Sequence, residues 1–169
     1  SWHVLYEVRS QHISQPGEVS FPGGRVEAGE NYSQAAIRET IEELQVSEDQ
    51  IEVMGEIDYI IQSKRSIHCF VGQIKVSQLE DIRPNEEVDR LFTVPLESLM
   101  KVEPVYYDLT SHVTKDINFP FEKIRNGKKY PFSHQRSSIP FYETFEHTIW
   151  GLTAQFTNRF ISIIKEQKD

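Results

Sequence analysis

Residues Gly23 to Val46 read GGRVEAGENYSQAAIRETIEELQV, a glycine-rich loop running straight into an acidic amphipathic segment. The pattern predicts a helix from about Asn31 to Val46, opened by Asn31 as N-cap with Gln34 three residues on as its capping-box partner. At ~100° per residue, Glu39, Glu42 and Glu43 fall within roughly 100° of arc, and Ile37, Thr40, Ile41 and Leu44 project from the opposite side. One side is expected to pack and the other to do chemistry. Carboxylates at these spacings repel one another by about 1 kcal/mol at ~4 Å in water, and by several-fold more in a partly dry cleft. A hard divalent cation removes that cost. Taken alone, an ExxEE run is commonly just a solvated helix face, so the surroundings must decide.

Reading outward, the chain has Gly24, five residues, Glu30, seven residues, Arg38-Glu39, then Glu42-Glu43 and Val46. This resembles the Nudix box, G-x5-E-x7-R-E-U-x-E-E-x-G-U with U aliphatic, and six of its seven fixed letters are present. A chance match in a chain of this length is on the order of 10⁻⁴ or less. Thr40 stands where an aliphatic residue is usual, and Gln45 replaces the final glycine. The helix is therefore expected to lack the usual left-handed glycine cap, and the turn into Ser47 to differ in shape. The resemblance implies an α/β fold, a Nudix-type α/β/α sandwich with a mixed sheet. It also implies Mg²⁺ or Mn²⁺ on Glu39, Glu42, Glu43 and the Gly23 carbonyl, with Arg38 orienting the glutamates through its guanidinium fork. Gly23 and Gly24 leave room for backbone to approach a metal-bound phosphate. Glu30 caps the loop.

The 169 residues, 38% hydrophobic and 26% charged, suit one globular domain spanning 1–169. The start inside the region of a first strand, without methionine, suggests that an N-terminal strand precedes the numbered chain. A formal charge of −8 and the lack of a basic stripe argue against a nucleic-acid surface. Cys69, the single cysteine, sits in the apolar run Ile67 to Val71 and reads as a strand residue rather than a nucleophile. No apolar run reaches ~18 residues and no signal pattern opens the chain, so no membrane partner is expected and a cytoplasmic location is. The end, Lys165 to Asp169, has no peroxisomal Ser-Lys-Leu. His3, His12, His68, His112, His134 and His147 are scattered without zinc spacing.

Strands are expected at Trp2 to Val8, Ile51 to Ile61, Ile67 to Val76 and Val88 to Val94, the second and third joined near Gln62-Ser63-Lys64-Arg65. Pro95 to Met100 reads as a short helical turn and Thr148 to Lys165 as a terminal helix. Asn126-Gly127 suggests a hairpin turn between Phe119-Phe121 and Tyr130-Phe132. The aromatic segment Val105 to Phe145 reads as either a flap over substrate or a homodimer surface.

The box specifies pyrophosphate chemistry and not the substrate. Upstream, Leu5-Tyr6-Glu7-Val8-Arg9-Ser10 and Phe21-Pro22-Gly23-Gly24 resemble the coenzyme A pyrophosphatase signature, LLTxRS-x3-R-x3-G-x3-FPGG. Arg9, Ser10, Gly17 and the FPGG tetrad match. The signature's second arginine does not, its best counterpart being Ser14 with the spacing to Gly17 one residue short. His12, Lys64 and Arg65 are candidate replacements. Glu87-Val88, Phe92 and Pro95-Leu96 resemble that branch's EVxxxFxxPL stretch, and Ile149-Trp150-Gly151-Leu152-Thr153-Ala154 its IWGxTA segment.

The resemblance implies metal-dependent cleavage of coenzyme A or its derivatives to 3′,5′-ADP and (acyl-)phosphopantetheine. Arg9, Ser10 and Gly24 would face substrate, and Glu39, Glu43 and the loop residue Glu87 would compete for the role of general base, with Glu39 favoured. Another nucleoside diphosphate derivative, such as NADH, ADP-ribose, a nucleotide sugar or a damaged nucleotide, is the alternative substrate. A non-catalytic nucleotide-sensing module is the third reading, but such modules usually show eroded glutamates and here all three are intact.

Overall fold

Alternation along Val4-Leu5-Tyr6-Glu7-Val8 gives the first strand two buried faces, and the molecule is built on that fact. In the computed structural model, which describes residues 1–62 and 64–167, strand β1 (His3–Arg9) lies between β2 (Val19–Ser20) and β5 (Val88–Pro95). Both pairings are antiparallel, with Glu7 opposite Ser20 on one side and Leu91 on the other. Tyr6 is fully buried in a cluster with Val94, Leu99, Tyr142, Ile149 and Ile161. Its ring stacks between Phe21 at 5.1 Å and Phe92 at 5.3 Å, and its hydroxyl lies 3.0 Å from Thr157 Oγ1 on the terminal helix α3 (Gly151–Glu166). Leu5, one residue earlier, packs on the other face against Leu44, Val46 and Ile82. Leu44 closes helix α1 (Tyr32–Leu44), so β1 and β5 are sandwiched between α1 and α3. Helix α2 (Leu96–Lys101) continues from β5 and contributes Leu99 to the Tyr6 cluster.

Beyond α1 comes the long hairpin β3 (Ile51–Gln62) and β4 (Arg65–Ile74); Ser63, Lys168 and Asp169 are outside the described residues. Strands β6 (Val105–Ser111), β7 (Gln135–Tyr142) and β8 (Ile149–Trp150) form a third antiparallel sheet, against which α3 packs. Cys69 is a half-buried residue of β4, and burial pushes its thiol up to about 12, the state of a packed cysteine rather than a reactive one. No helix of the described residues is long and apolar enough to cross a membrane.

Four expectations change. Every strand pairing among the described residues is antiparallel, in place of a mixed sheet. Asn126-Gly127 does not turn a local hairpin. Asn126 is left-handed (φ 70°), but it leads into a 3₁₀ turn over Gly127–Lys129 that packs on another at Phe121–Lys123, and the hairpin partners lie outside them as β6 and β7. The two faces of α1 do not divide as packing and chemistry. Ala35, Glu43 and Leu44 are its buried residues, whereas Ile37 and Ile41 line an open depression with Gln34, Arg38, Glu42 and Glu48.

The fourth change is at the helix end, where Gln45 itself adopts the left-handed cap (φ 52°, ψ 39°) expected to be missing. A side chain with Cβ pays roughly 1–2 kcal/mol for that conformation. Gln45 is exposed, so replacement removes no packing. Gln45→Gly is therefore expected to stabilise the fold by about 1 kcal/mol, read as a higher urea midpoint at unchanged slope.

Candidate functional site

The site is assembled where the second half of α1, the loop before the helix and the end of β1 meet. Asn31 caps the helix as expected, its side chain accepting from Gln34 N at 2.9 Å while Gln34 Oε1 accepts from Asn31 N at 2.9 Å. That fixes the helix start and hence the direction of every residue in the ExxEE run. Arg38 then gathers the loop. Its Nε donates to Glu30 Oε1 at 2.7 Å, and its Nη2 donates to Glu30 Oε2 at 3.2 Å and to the Arg25 carbonyl at 2.9 Å. Its Nη1 donates to Glu39 Oε1 at 2.9 Å and Glu42 Oε2 at 3.3 Å. The planar fork does what a lysine's point charge could not, holding two orientations at once. Glu30 is held by Arg38 well below the usual carboxylate range and also accepts from Glu27 N, closing the loop.

Glu43 is the deepest of the three box glutamates, only 4% exposed. Its Oε2 accepts from Gly23 N at 2.9 Å, so Gly23 enters the site through its amide. Burial, with the nearby charges of Glu7, Glu39 and Glu87, pushes its carboxyl up to about 8. Gly24 lies against the helix in a different way. A Cβ at that position would overlap the Glu39 carboxylate, the far end of a flexible side chain, so a larger residue there would push Glu39 out of its present position.

Glu7 is the member of this cluster that sequence reasoning missed. It shares the α1-facing side of β1 with Leu5, is 3% exposed, and accepts from Ser20 Oγ at 3.1 Å through Oε1. Its Oε2 is buried with no hydrogen-bond partner among the described residues, and burial pushes its carboxyl up to about 7. A lone acidic residue inside an apolar strand was the available signal. Glu87, in contrast, was named from sequence, and backbone bonds bring it in: Asn85 N donates to the Glu43 carbonyl at 2.8 Å and Ser10 N to the Glu87 carbonyl at 2.9 Å. Glu87 itself is exposed.

The expected substrate residues separate. Arg9 donates from Nε to the Ser14 carbonyl at 2.8 Å and from Nη2 to Ser14 Oγ at 3.3 Å. The residue standing in the place of the second arginine is thus the one that holds the first. Gly17, left-handed at φ 80°, lets the loop return so that its N–H reaches the Arg9 carbonyl at 2.8 Å. Ser10, expected to face substrate, is buried, and its hydroxyl accepts from His12 N at 3.2 Å, a scaffold role for the loop. Lys64 and Arg65 lie at the turn end of the β3–β4 hairpin, next to Ser66, whose Oγ is 2.9 Å from the Tyr32 hydroxyl at the start of α1.

Among the described residues no three His, Cys, Asp or Glu side chains converge on one metal position, because Glu39 and Glu42 are turned onto Arg38. The donor set nevertheless suits a hard divalent cation. All its donors are carboxylate oxygens, Glu7 and Glu43 have raised pKa values through burial first and neighbouring carboxylates second, and Glu7 Oε2 has no hydrogen-bond partner among the described residues. The repulsion predicts a pH dependence. Both folded values lie above an ordinary 4.5, so their contribution is complete below about 4.5 and is lost as pH rises through about 7 to 8. In EDTA, urea denaturation is expected to show stability falling by on the order of a few kcal/mol between pH 5 and pH 8.5, with a smaller fall in Glu7→Gln. A flat profile would contradict the buried cluster.

Similar proteins align along nearly the whole chain. Over 166 aligned residues, covering 95% of this chain, it is 29% identical to Nudix hydrolase 3 from Caenorhabditis elegans and 28% identical to the mitochondrial coenzyme A diphosphatase NUDT8 from Homo sapiens. The chain spans 66% and 62% of those two proteins, under two thirds of each. The peroxisomal coenzyme A diphosphatase NUDT7 from Mus musculus is 31% identical over 109 residues, 62% of this chain and 45% of its own length. A crystal structure of a C. elegans Ap4A hydrolase binary complex superposes with a TM-score of 0.48 at 24% identity, covering 59% of this chain and 73% of that one. The NUDIX domain family model matches residues 4–113, more than half of the 169 residues, and with Glu30, Arg38, Glu39, Glu42 and Glu43 placed as described the chain belongs to the NUDIX domain family.

Proposed function

We propose that the chain hydrolyses the diphosphate linkage of coenzyme A or its derivatives, releasing 3′,5′-ADP and phosphopantetheine or its acylated form, with Mg²⁺ or Mn²⁺ as cofactor. The observation that carries this reading is the joint presence of the Arg9-Ser10 to Phe21-Pro22-Gly23-Gly24 signature and the buried glutamate cluster it folds onto. Relatives named as coenzyme A diphosphatases support the substrate.

In this reading Glu39, Glu42 and Glu43 would hold the cation, and the charges of Glu7 and Glu87 lie near Glu43. The bound cation supplies neutralisation of the diphosphate and acidification of water. Arg38 releases Glu39 and Glu42 only partly, since its bidentate hold on Glu30 keeps the fork in place while the two glutamates swing. Glu39, whose carboxylate lies beside Gly24, accepts the proton of the attacking water, with Glu43 and Glu87 as the other carboxylates nearby. Arg9 leaves Ser14 to meet a substrate phosphate, which costs it two hydrogen bonds to the loop. Gly24 keeps that approach open.

Incubation of the protein with Mg²⁺ or Mn²⁺ and, separately, coenzyme A, acetyl-coenzyme A, NADH and ADP-ribose is expected to give 3′,5′-ADP from the coenzyme A compounds as the fastest reaction. Faster cleavage of another diphosphate would overturn the substrate while leaving the cluster. Glu43→Gln is expected to lower kcat by at least 10²-fold and to keep the far-UV circular dichroism of the parent. Near-parental turnover in that variant would sink the assignment of the glutamate cluster.

A further inference from the structure

Away from the carboxylates, three rings form a continuous stack that the fold does not need for its core. Tyr32, the first residue of α1, lies on His68 of β4 with ring centroids 3.6 Å apart and planes 19° from parallel. Tyr59 of β3 lies against His68 at 5.4 Å and 16°. The middle ring is held from both ends, Nδ1 donating to Glu56 Oε1 at 2.6 Å and Nε2 lying 3.2 Å from Ser66 Oγ. Ser66 Oγ is in turn 2.9 Å from the Tyr32 hydroxyl. Yet Tyr32 is 44% exposed and Tyr59 56% exposed. A rigid, pre-oriented aromatic surface is therefore presented to solvent.

Its position is set by helical geometry. Seven residues from Tyr32 to Glu39 turn about 700°, and eleven to Glu43 about 1100°, each within roughly 20° of whole turns. Tyr32, Glu39 and Glu43 thus lie on one stripe of α1, with Tyr32 about 10 Å along the axis from Glu39. The small side chain of Ala36 is the residue between them, so the stripe offers no wall. An aromatic face at one end and a cation-binding carboxylate cluster at the other suit the two ends of a nucleoside diphosphate, a flat base and a charged diphosphate.

We infer that the outer face of Tyr32, backed by His68 and Tyr59, is the subsite on which the nucleobase of the substrate stacks. This rests on the proposed hydrolysis of an adenine-containing diphosphate. Stacking on an aromatic side chain tolerates any base but rewards a preordered ring, and here Glu56 and Ser66 preorder the ring behind it.

The test uses 5′-AMP as probe with the full chain, in two measurements. Intermolecular NOEs from adenine H2 and H8 to the Tyr32 ring are expected in the parent protein. The Kd for 5′-AMP is expected to rise about tenfold in Tyr32→Leu and to return toward the parent value in Tyr32→Phe, which keeps the ring but not the hydroxyl bond to Ser66. NOEs to other rings alone, or an unchanged Kd in a folded Tyr32→Leu, would overturn the subsite, and should that variant fail to fold the NOEs decide. Coenzyme A hydrolysis in the same parent sample separates the two claims. Tyr32 NOEs without hydrolysis remove the substrate assignment and leave the subsite, whereas hydrolysis without Tyr32 NOEs removes the subsite alone.

Discussion

The burial of the Glu43 carboxylate is the constraint on which the rest of the site turns. A carboxylate taken out of water beside other carboxylates costs several kcal/mol unless it is protonated, hydrogen-bonded or paired with a cation. Among the described residues one Gly23 N–H is its only hydrogen-bond partner, and Glu7 adds a second buried carboxyl with an oxygen that has none. Such an arrangement persists because the surrounding packing is strong enough to hold it: Leu44, next in sequence, is fully buried, and Asn85 N ties the Glu43 carbonyl to the loop that carries Glu87. Stability is given up locally to keep charge poised.

Arg38 is the counterweight. Five hydrogen bonds from one guanidinium, to Glu30, Glu39, Glu42 and the Arg25 carbonyl, neutralise part of the acidic helix and staple the glycine loop to it. Because two of those bonds go to Glu30 in a fork, Arg38 stays anchored whichever way Glu39 and Glu42 point. The loop and helix therefore form one rigid unit, and the movable parts are short side chains. Arg9 plays the corresponding part across the site, where its hold on Ser14 shapes the loop that leads back through Gly17 to the Phe21-Pro22-Gly23-Gly24 turn.

Much of this was legible in residue order because it depends on local geometry. The helix start at Asn31, the orienting role of Arg38 and the nearness of Gly24 to a functional glutamate follow from spacing within some twenty residues, over which helix periodicity and capping chemistry hold. Local signals also misled. Asn126-Gly127 has hairpin chemistry, yet β6 finds β7 across a long connection and leaves the dipeptide to a 3₁₀ turn. The absence of glycine at Gln45 suggested a different helix end, yet Gln45 takes the left-handed geometry because the chain must turn there to bury Val46.

By itself the sequence determined the family, the helix that carries Glu39, Glu42 and Glu43, and the loop that faces them, since each is written in side-chain types at fixed short offsets. Tertiary structure alone decided which glutamate is buried, that Glu7 joins Glu43 from a strand 36 residues away, that Ser14 occupies Arg9, and that Tyr32 meets His68. The reason is physical: burial and long-range contact depend on which strand face lies against which helix, and period-two alternation puts Leu5 and Glu7 on one face of β1 and Tyr6 on the other, but only packing turns the first toward α1 and the second toward α3.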